Sequence, residues 1–249
     1  MQLVLSLFPG IGLLDRAFEE EGFCVVRGPD VLWGGDVRNF HPPAGRFNGV
    51  IGGPPCQAFS SLAHMVRHNG FEPKFGNLIP EFERVVAAAR PTWFLMENVR
   101  QAPLPCVPGY QTWSTMLNNR QLGEAQHRVR RWSFGANQRT VLMIETTALE
   151  AREFEYAATG AGRHAVPVAI GGSGKRKRNR AGRIVERDIL SQGTQRSAAG
   201  LAAVKRLQGL PDDWDCDGLT IEAKVKAVAN GVPLAMGRAL ARAVLEATR

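Results

Sequence analysis

Short apolar runs and amphipathic stretches alternate along the chain, and turn residues mark almost every change between them. Residues 2–7 have a β-rich pattern that ends at Phe8-Pro9-Gly10-Ile11-Gly12. In the next stretch Ile11, Leu14 and Phe18 fall on one helical face, and Gly22 is placed to stop the helix. Phe23–Arg27 reads as a second strand, and Gly34-Gly35-Asp36-Val37 as a turn that presents an acidic side chain. Gly49-Val50-Ile51 reads as a buried strand emptying into Gly52-Gly53-Pro54-Pro55-Cys56. Leu78–Ala89 is an amphipathic helix, and 91–96 a buried strand that ends at Glu97-Asn98-Val99. Trp132–Gly135 and Val141–Ile144 continue the β pattern, and Ala198–Gly209, Ile221–Val228 and Leu234–Ala247 are helical. A strand, a glycine turn and a helix, followed by further alternation, predict an α/β fold with a Rossmann-like sheet and helices on both faces.

Between about 146 and 196 the texture changes to Ala, Gly and Arg with few large apolar residues. This stretch holds Gly171-Gly172-Ser173-Gly174 and the run Lys175-Arg176-Lys177-Arg178-Asn179-Arg180, which can build little core. The expected division is a main catalytic part over 1–145, a small irregular basic region over 146–196, and C-terminal helices over 197–249 that return to the main part.

Composition narrows the function classes. The chain has 249 residues, room for one large domain or one domain with a small insert. No apolar run is long enough to span a bilayer, and the apolar N-terminus lacks a basic leader, so residues 2–7 read as a strand and not as a signal peptide. The net charge of +8 favours a polyanionic partner, and the basic run points to phosphates and duplex grooves, with no interleaved aromatics for stacking single strands. Cys24, Cys56, Cys106 and Cys216 are scattered without metal-ligand spacing, and His64 and His68 lack a third partner, so no metal is expected. Reduced thiols, a cytoplasmic location and a monomer are the corresponding expectations.

The candidate chemistry lies at strand ends. Two prolines stiffen the backbone before Cys56, which suits either a nucleophile or a small buried thiol at a strand tip. Glu97 ends another apolar strand on the same rim, a position suited to proton donation. Gln126, Arg128 and Arg130 alternate, so in an extended segment they project to one side; they form either a solvated strand face or guanidiniums lining a cleft. Asp36 could bond a nucleoside group or satisfy its own turn. Residues 61–76 read as a polar, basic lid beside the thiol.

These blocks come in one order: Phe8-Pro9-Gly10-Ile11-Gly12, Pro55-Cys56-Gln57, Glu97-Asn98-Val99, Gln126-x-Arg128-x-Arg130, Leu207-Gln208-Gly209-Leu210-Pro211 and Asn230-Gly231-Val232-Pro233. Together they resemble the cytosine-5 DNA methyltransferase family, over nearly the whole chain outside 146–196 and in the compact form found in phages and prophages. The resemblance implies methyl transfer from S-adenosylmethionine to carbon 5 of a cytosine flipped out of double-stranded DNA. Cys56 would be the nucleophile, Glu97 would hold the base and donate a proton, and Arg128 and Arg130 would steady the adduct. The cofactor would lie against Phe8, Pro9, Gly10, Ile11 and Gly12, with further contacts from Asp36, Val37, Pro55, Leu78 and Asn230. DNA contacts would come from Gln57, Ser60, Arg67, Lys74 and Gln126 around the site, and from Lys175, Arg176, Lys177, Arg178 and Arg180 in the insert, which takes the place of a target-recognition region. A nucleoid-associated protein follows from that reading. An RNA substrate and an inactive nucleic-acid-binding relative are the alternatives.

The chain also departs from the family pattern. Ser6 stands where an Asp is usual, and Pro29, with Asp30 beside it, stands where a ribose-binding acid is expected. Ala202-Ala203 replaces an Arg-Glu pair.

Overall fold

The structure is a computed structural model that describes residues 1–59, 76–147, 155–156, 177–178, 184–185 and 198–249. Ser60, Arg67, Lys74, Lys175, Arg176 and Arg180, with the 61–75 part of the expected lid, lie outside the described residues. In chain order the elements are β1 (Leu3–Leu7), α1 (Leu13–Glu20), β2 (Cys24–Arg27), β3 (Gly49–Gly52), α2 (Ile79–Ala89) and β4 (Trp93–Asn98). Next come β5 (Gln111–Asn118), β6 (Gln126–His127), β7 (Val129–Ala136) and the two-residue strands β8 (Glu155–Tyr156), β9 (Lys177–Arg178) and β10 (Ile184–Val185). The helices α3 (Ala198–Gln208), α4 (Ile221–Asn230) and α5 (Leu234–Ala247) complete the chain.

Six strands form one sheet in the order β2-β1-β3-β4-β7-β5. The first four are parallel; β7 runs antiparallel between β4 and β5. Strands β1, β3 and β4 read as near-continuous apolar runs because both faces are covered. The period of two sends Val4, Ile51, Trp93 and Leu95 to the face packed by α1 and α5. It sends Leu5, Leu7, Val50, Phe94 and Met96 to the opposite face, under α2. The expected layering, with helices on both faces, is present. A third apolar cluster joins α3 and α4 to α1 through Val204, Leu207, Val225, Val228, Leu13 and Ala17. The C-terminal helices therefore return to the first βα unit.

One expected strand is absent and one unexpected strand is present. Val141–Ile144 forms no strand: Val141 and Met143 are exposed and Leu142 is buried, so alternating burial occurs there without ladder pairing. In its place β5 forms the sheet edge, although Gln111, Thr112, Ser114 and Thr115 give it no apolar alternation. Pairing with β7 along its whole length makes it a strand. Helix α4 also continues to Asn230, so the turn begins two residues later than the pattern suggests.

Candidate active site

The sheet order places β1 between β2 and β3, so the chain leaves the centre in both directions and the loops at the carboxyl ends of β1 and β3 diverge. The loop after β1 is strained. Phe8 has φ 55, Gly10 φ 55 and Gly12 φ 78. A left-handed phenylalanine costs about 1–2 kcal/mol, an outlier of the kind that clusters at ligand sites. Gly12 caps α1 with its amide donating to the Pro9 carbonyl at 2.8 Å, and the helix's first-turn amides follow.

The segment after β2 closes on this loop, which sequence reasoning missed. The Asp30 carboxylate accepts the Gly10 amide at 2.9 Å and the Leu32 amide at 2.7 Å, and the Trp33 indole donates to the Gly10 carbonyl at 2.7 Å. Trp33 stays 58% exposed, an uncovered aromatic face beside the glycine loop. Its signal in the sequence is Asp30-x-x-Trp33 directly after a predicted strand. Ser6 is also explained: its hydroxyl donates to Asp15, whose fully buried carboxylate pairs with the Arg27 Nε at 3.0 Å. Burial raises the Asp15 pKa, while Ser6 and Arg27 oppose the rise. Asp15 belongs to the first turn of α1.

The remaining predicted cofactor contacts are placed unevenly. Asp36 caps its own turn by accepting the Arg38 amide and pairs with the Arg38 side chain at 2.6 Å, which holds its carboxyl below the usual range. Val37 is buried with Leu5 and Leu7, so its side chain is core. Pro55 precedes the 3-10 turn at Cys56–Ala58, and half-buried Leu78 precedes α2. Asn230 is exposed at the end of α4, and a side chain on neighbouring Gly231 would strike Leu13, so this segment packs against the start of α1.

Four predicted catalytic residues converge on the rim formed by β3, β4 and β7. Cys56 opens its 3-10 turn four residues past the end of β3, and Glu97 is the penultimate residue of β4. Glu97 accepts from the Arg130 Nε at 2.8 Å, with both side chains mostly buried. A side chain on Gly53 would meet the Glu97 Oε2 at 3.2 Å, so the loop before Cys56 passes close over the carboxylate. Asn98 fixes that loop by donating to the Pro54 carbonyl at 3.1 Å. Arg128 is 3% exposed and donates through Nη2 to the Gly231 carbonyl at 3.1 Å. Burial pulls its pKa down to about 9, with Arg130 adding to the fall and Glu97 opposing it. Burial pushes the Cys56 thiol up and Glu97 pushes it further, against Arg130 and Arg128. The free site therefore keeps its thiol mostly protonated beside a carboxylate and two guanidiniums.

Gln126 departs from the expected DNA contact. It is buried under α3 and donates to the Leu207 carbonyl, so its side chain does not face a DNA surface. Gln57 lies in the Cys56–Ala58 turn. Lys177 and Arg178 form β9, paired antiparallel with β10. Among the described residues no group of three or more His, Cys, Asp or Glu could hold a metal, and no helix is long and apolar enough to cross a membrane.

Residues 34–103 match the family model described as C-5 cytosine-specific DNA methylase. The chain is 46% identical over 121 residues to the Type II methyltransferase M.HgiGI of Herpetosiphon aurantiacus, covering 40% of this chain and 92% of that one. It is 29% identical over 163 residues to the Type II methyltransferase M.NgoPII of Neisseria gonorrhoeae, covering 53% of this chain and 47% of that one. The chain thus spans about half the length of several curated relatives it matches. Among solved structures, the Entamoeba histolytica methyltransferase EhMeth superposes with a TM-score of 0.64 at 11% identity, covering 100% of this chain and 99% of that one.

Proposed function

Because the chain belongs to the C-5 cytosine-specific DNA methylase family, we propose that it methylates carbon 5 of cytosine in double-stranded DNA by way of a covalent bond to Cys56. The observation that carries this reading is the rim itself: one thiol at the tip of β3, with the Glu97–Arg130 pair and the buried Arg128 acting on it. Carbon 5 of cytosine is a weak nucleophile until a thiolate adds to carbon 6. As the Cys56 sulfur bonds to carbon 6 its thiol proton passes to the Glu97 carboxylate, and Glu97 delivers a proton to the ring nitrogen as electron density moves toward carbon 5. Arg128 and Arg130 counter the negative charge that develops on the base. Once carbon 5 has been substituted, it loses its hydrogen as a proton, the sulfur–carbon bond breaks and the thiolate is regenerated. The reacting base must leave the duplex to reach this rim.

S-adenosylmethionine, when bound, supplies an electrophilic methyl group. The left-handed Phe8–Gly12 loop and the amides opening α1 fit its polar amino-acid end, and the exposed Trp33 fits a nucleoside ring. Asp30 is the carboxylate placed for the ribose side, in the role for which the sequence offered no clean match. Residues 146–196 are proposed to serve target recognition, with 197–249 as the return to the catalytic part. Cys56, Glu97, Arg128 and Arg130 are the proposed catalytic set.

Bisulfite sequencing of plasmid DNA from cells expressing the chain should reveal methylated cytosines in one short sequence context. Unmethylated DNA alongside soluble protein that binds the cofactor would overturn the DNA reading and direct the same assay to RNA.

Glu97→Gln separates the two roles of that carboxylate. Glu97 raises the thiol's pKa, so its removal lowers that pKa and increases the thiolate fraction at any pH below it. Alkylation of Cys56 by iodoacetamide should therefore become several-fold faster at pH 7.5, since one pKa unit is tenfold. Methyl transfer should fall about 10²–10⁴-fold through loss of the proton donor. Slower alkylation in the variant would mean that Glu97 does not restrain the thiol.

A further inference from the structure

Gln208, the last residue of α3, is fully buried and lies outside the rim just described. Its side-chain amide nitrogen donates to the Val228 carbonyl at 2.8 Å and the Gly231 carbonyl at 2.9 Å, with a longer approach of 3.4 Å to Ala229. The Val228 carbonyl also accepts the Gly231 amide at 3.1 Å, the bond that closes α4. The Gly231 oxygen also accepts from the Arg128 Nη2 at 3.1 Å. A carbonyl oxygen has two lone pairs, and here one faces Gln208 and the other Arg128. On the far side, Gln126 donates to Leu207 and approaches the Gln208 oxygen at 3.4 Å. Gln126, Arg128 and Gln208 are all buried, so hydrogen bonds and not solvent decide where the guanidinium points.

We propose that Gln208 is a positioning residue for Arg128: by clamping the Gly231 carbonyl, it fixes the guanidinium in the orientation that serves Cys56. This rests on the reading of Arg128 as part of the active site. A role confined to capping α4 would stabilise the helix without reporting on Arg128.

The test uses the pH profile of Cys56 alkylation by iodoacetamide, read by peptide mass spectrometry on the full chain. Among the described residues the charged groups acting on the thiol are Glu97 on β4, Arg130 on β7 and Arg128 between β6 and β7. Arg128→Gln should move the alkylation midpoint upward, because a cation that favours the thiolate is gone. Gln208→Met, which keeps volume and removes the amide, should move it upward too, slowing alkylation about threefold at pH 7.5 for a half-unit shift. The double variant should move no further than Arg128→Gln alone, since Gln208 acts through that residue. An unmoved midpoint in Gln208→Met, or a double variant in which the two shifts simply add, would overturn the proposal. Should Gln208→Met fail to fold, Gln208→Asn keeps the amide but shortens its reach, and carries the same expectation. The readout needs neither DNA nor cofactor, so a wild-type chain that methylates nothing would count against the proposed function and leave this measurement intact.

Discussion

Cys56→Ala is expected to abolish methyl transfer, lowering the rate by at least about 10⁴-fold, while DNA binding changes less than about threefold. The size of the effect follows from the route. Without sulfur addition at carbon 6 there is no electron-rich carbon 5, and the other described thiols lie elsewhere in the chain: Cys24 on β2, Cys106 in the connection after β4 and Cys216 in that after α3. Binding should survive because alanine removes one partly buried atom from a loop that Pro54, Pro55 and the Asn98 bond to the Pro54 carbonyl already hold. The measurement pairs methyl incorporation with trapping on DNA that carries 5-fluorocytosine at the target. There the wild type should form a denaturation-resistant complex, and the variant should not. A variant that loses binding and incorporation in equal measure would show that Cys56 supports the fold and not the bond. The wild-type trapping rate should also rise with pH up to the thiol's raised pKa, because burial and Glu97 hold the proton on the sulfur.

The grouping of Cys56, Glu97, Arg128 and Arg130 on one rim was legible because these residues sit in local motifs at predicted strand ends, and an α/β sheet brings such ends to one edge. Cys56 after Gly-Gly-Pro-Pro and Glu97 after a buried apolar run needed only that rule. Alternation put Gln126 and Arg128 on one side, and both meet the buried network around Gln208 and Gly231; it could not show that α3, some 80 residues later, covers Gln126. The pairing of Asp30 and Trp33 with Gly10 joins residues 20 and 23 positions apart, so no local pattern could announce it. The Ser6–Asp15–Arg27 set is similar: its members lie on β1, α1 and β2, so no local motif holds all three. Strand β5 was missed because an edge strand packed by Trp113 and polar neighbours has β-propensity without periodicity. Val141–Ile144 had the periodicity and found no partner.

Gly49→Ala is expected to cost about 3 kcal/mol, lowering Tm by roughly 6–12 °C for a chain of this size, and Gly49→Val to cost more. Gly49 on β3 lies directly opposite Trp93 on β4, and the indole folds over the space a side chain would occupy. A Cβ at Gly49 would fall 2.2 Å from a ring carbon of Trp93. The ring has nowhere to go. It is stacked near Phe18 and Phe134, met edge-on by Phe23, and held through its Nε1 by the Gln2 side chain at 3.0 Å. Gly135 on β7 repeats the arrangement with Phe94, its cross-strand neighbour, also at 2.2 Å. Gly135→Ala should therefore destabilise comparably, whereas Gly76→Ala, with nothing within 4 Å, should stay within about 0.5 kcal/mol of the wild type. Gly49 opens β3 at the end away from Cys56, so well below Tm the surviving folded protein should keep its kcat. If the ring is the cause, Trp93→Leu should lose much of its own cost when combined with Gly49→Ala, because the new methyl group occupies space the smaller side chain leaves. Thermal melts of the four chains decide it: additive losses would place the strain in the backbone of β3, and a coupling that offsets at least about 1 kcal/mol would place it between Gly49 and the Trp93 ring.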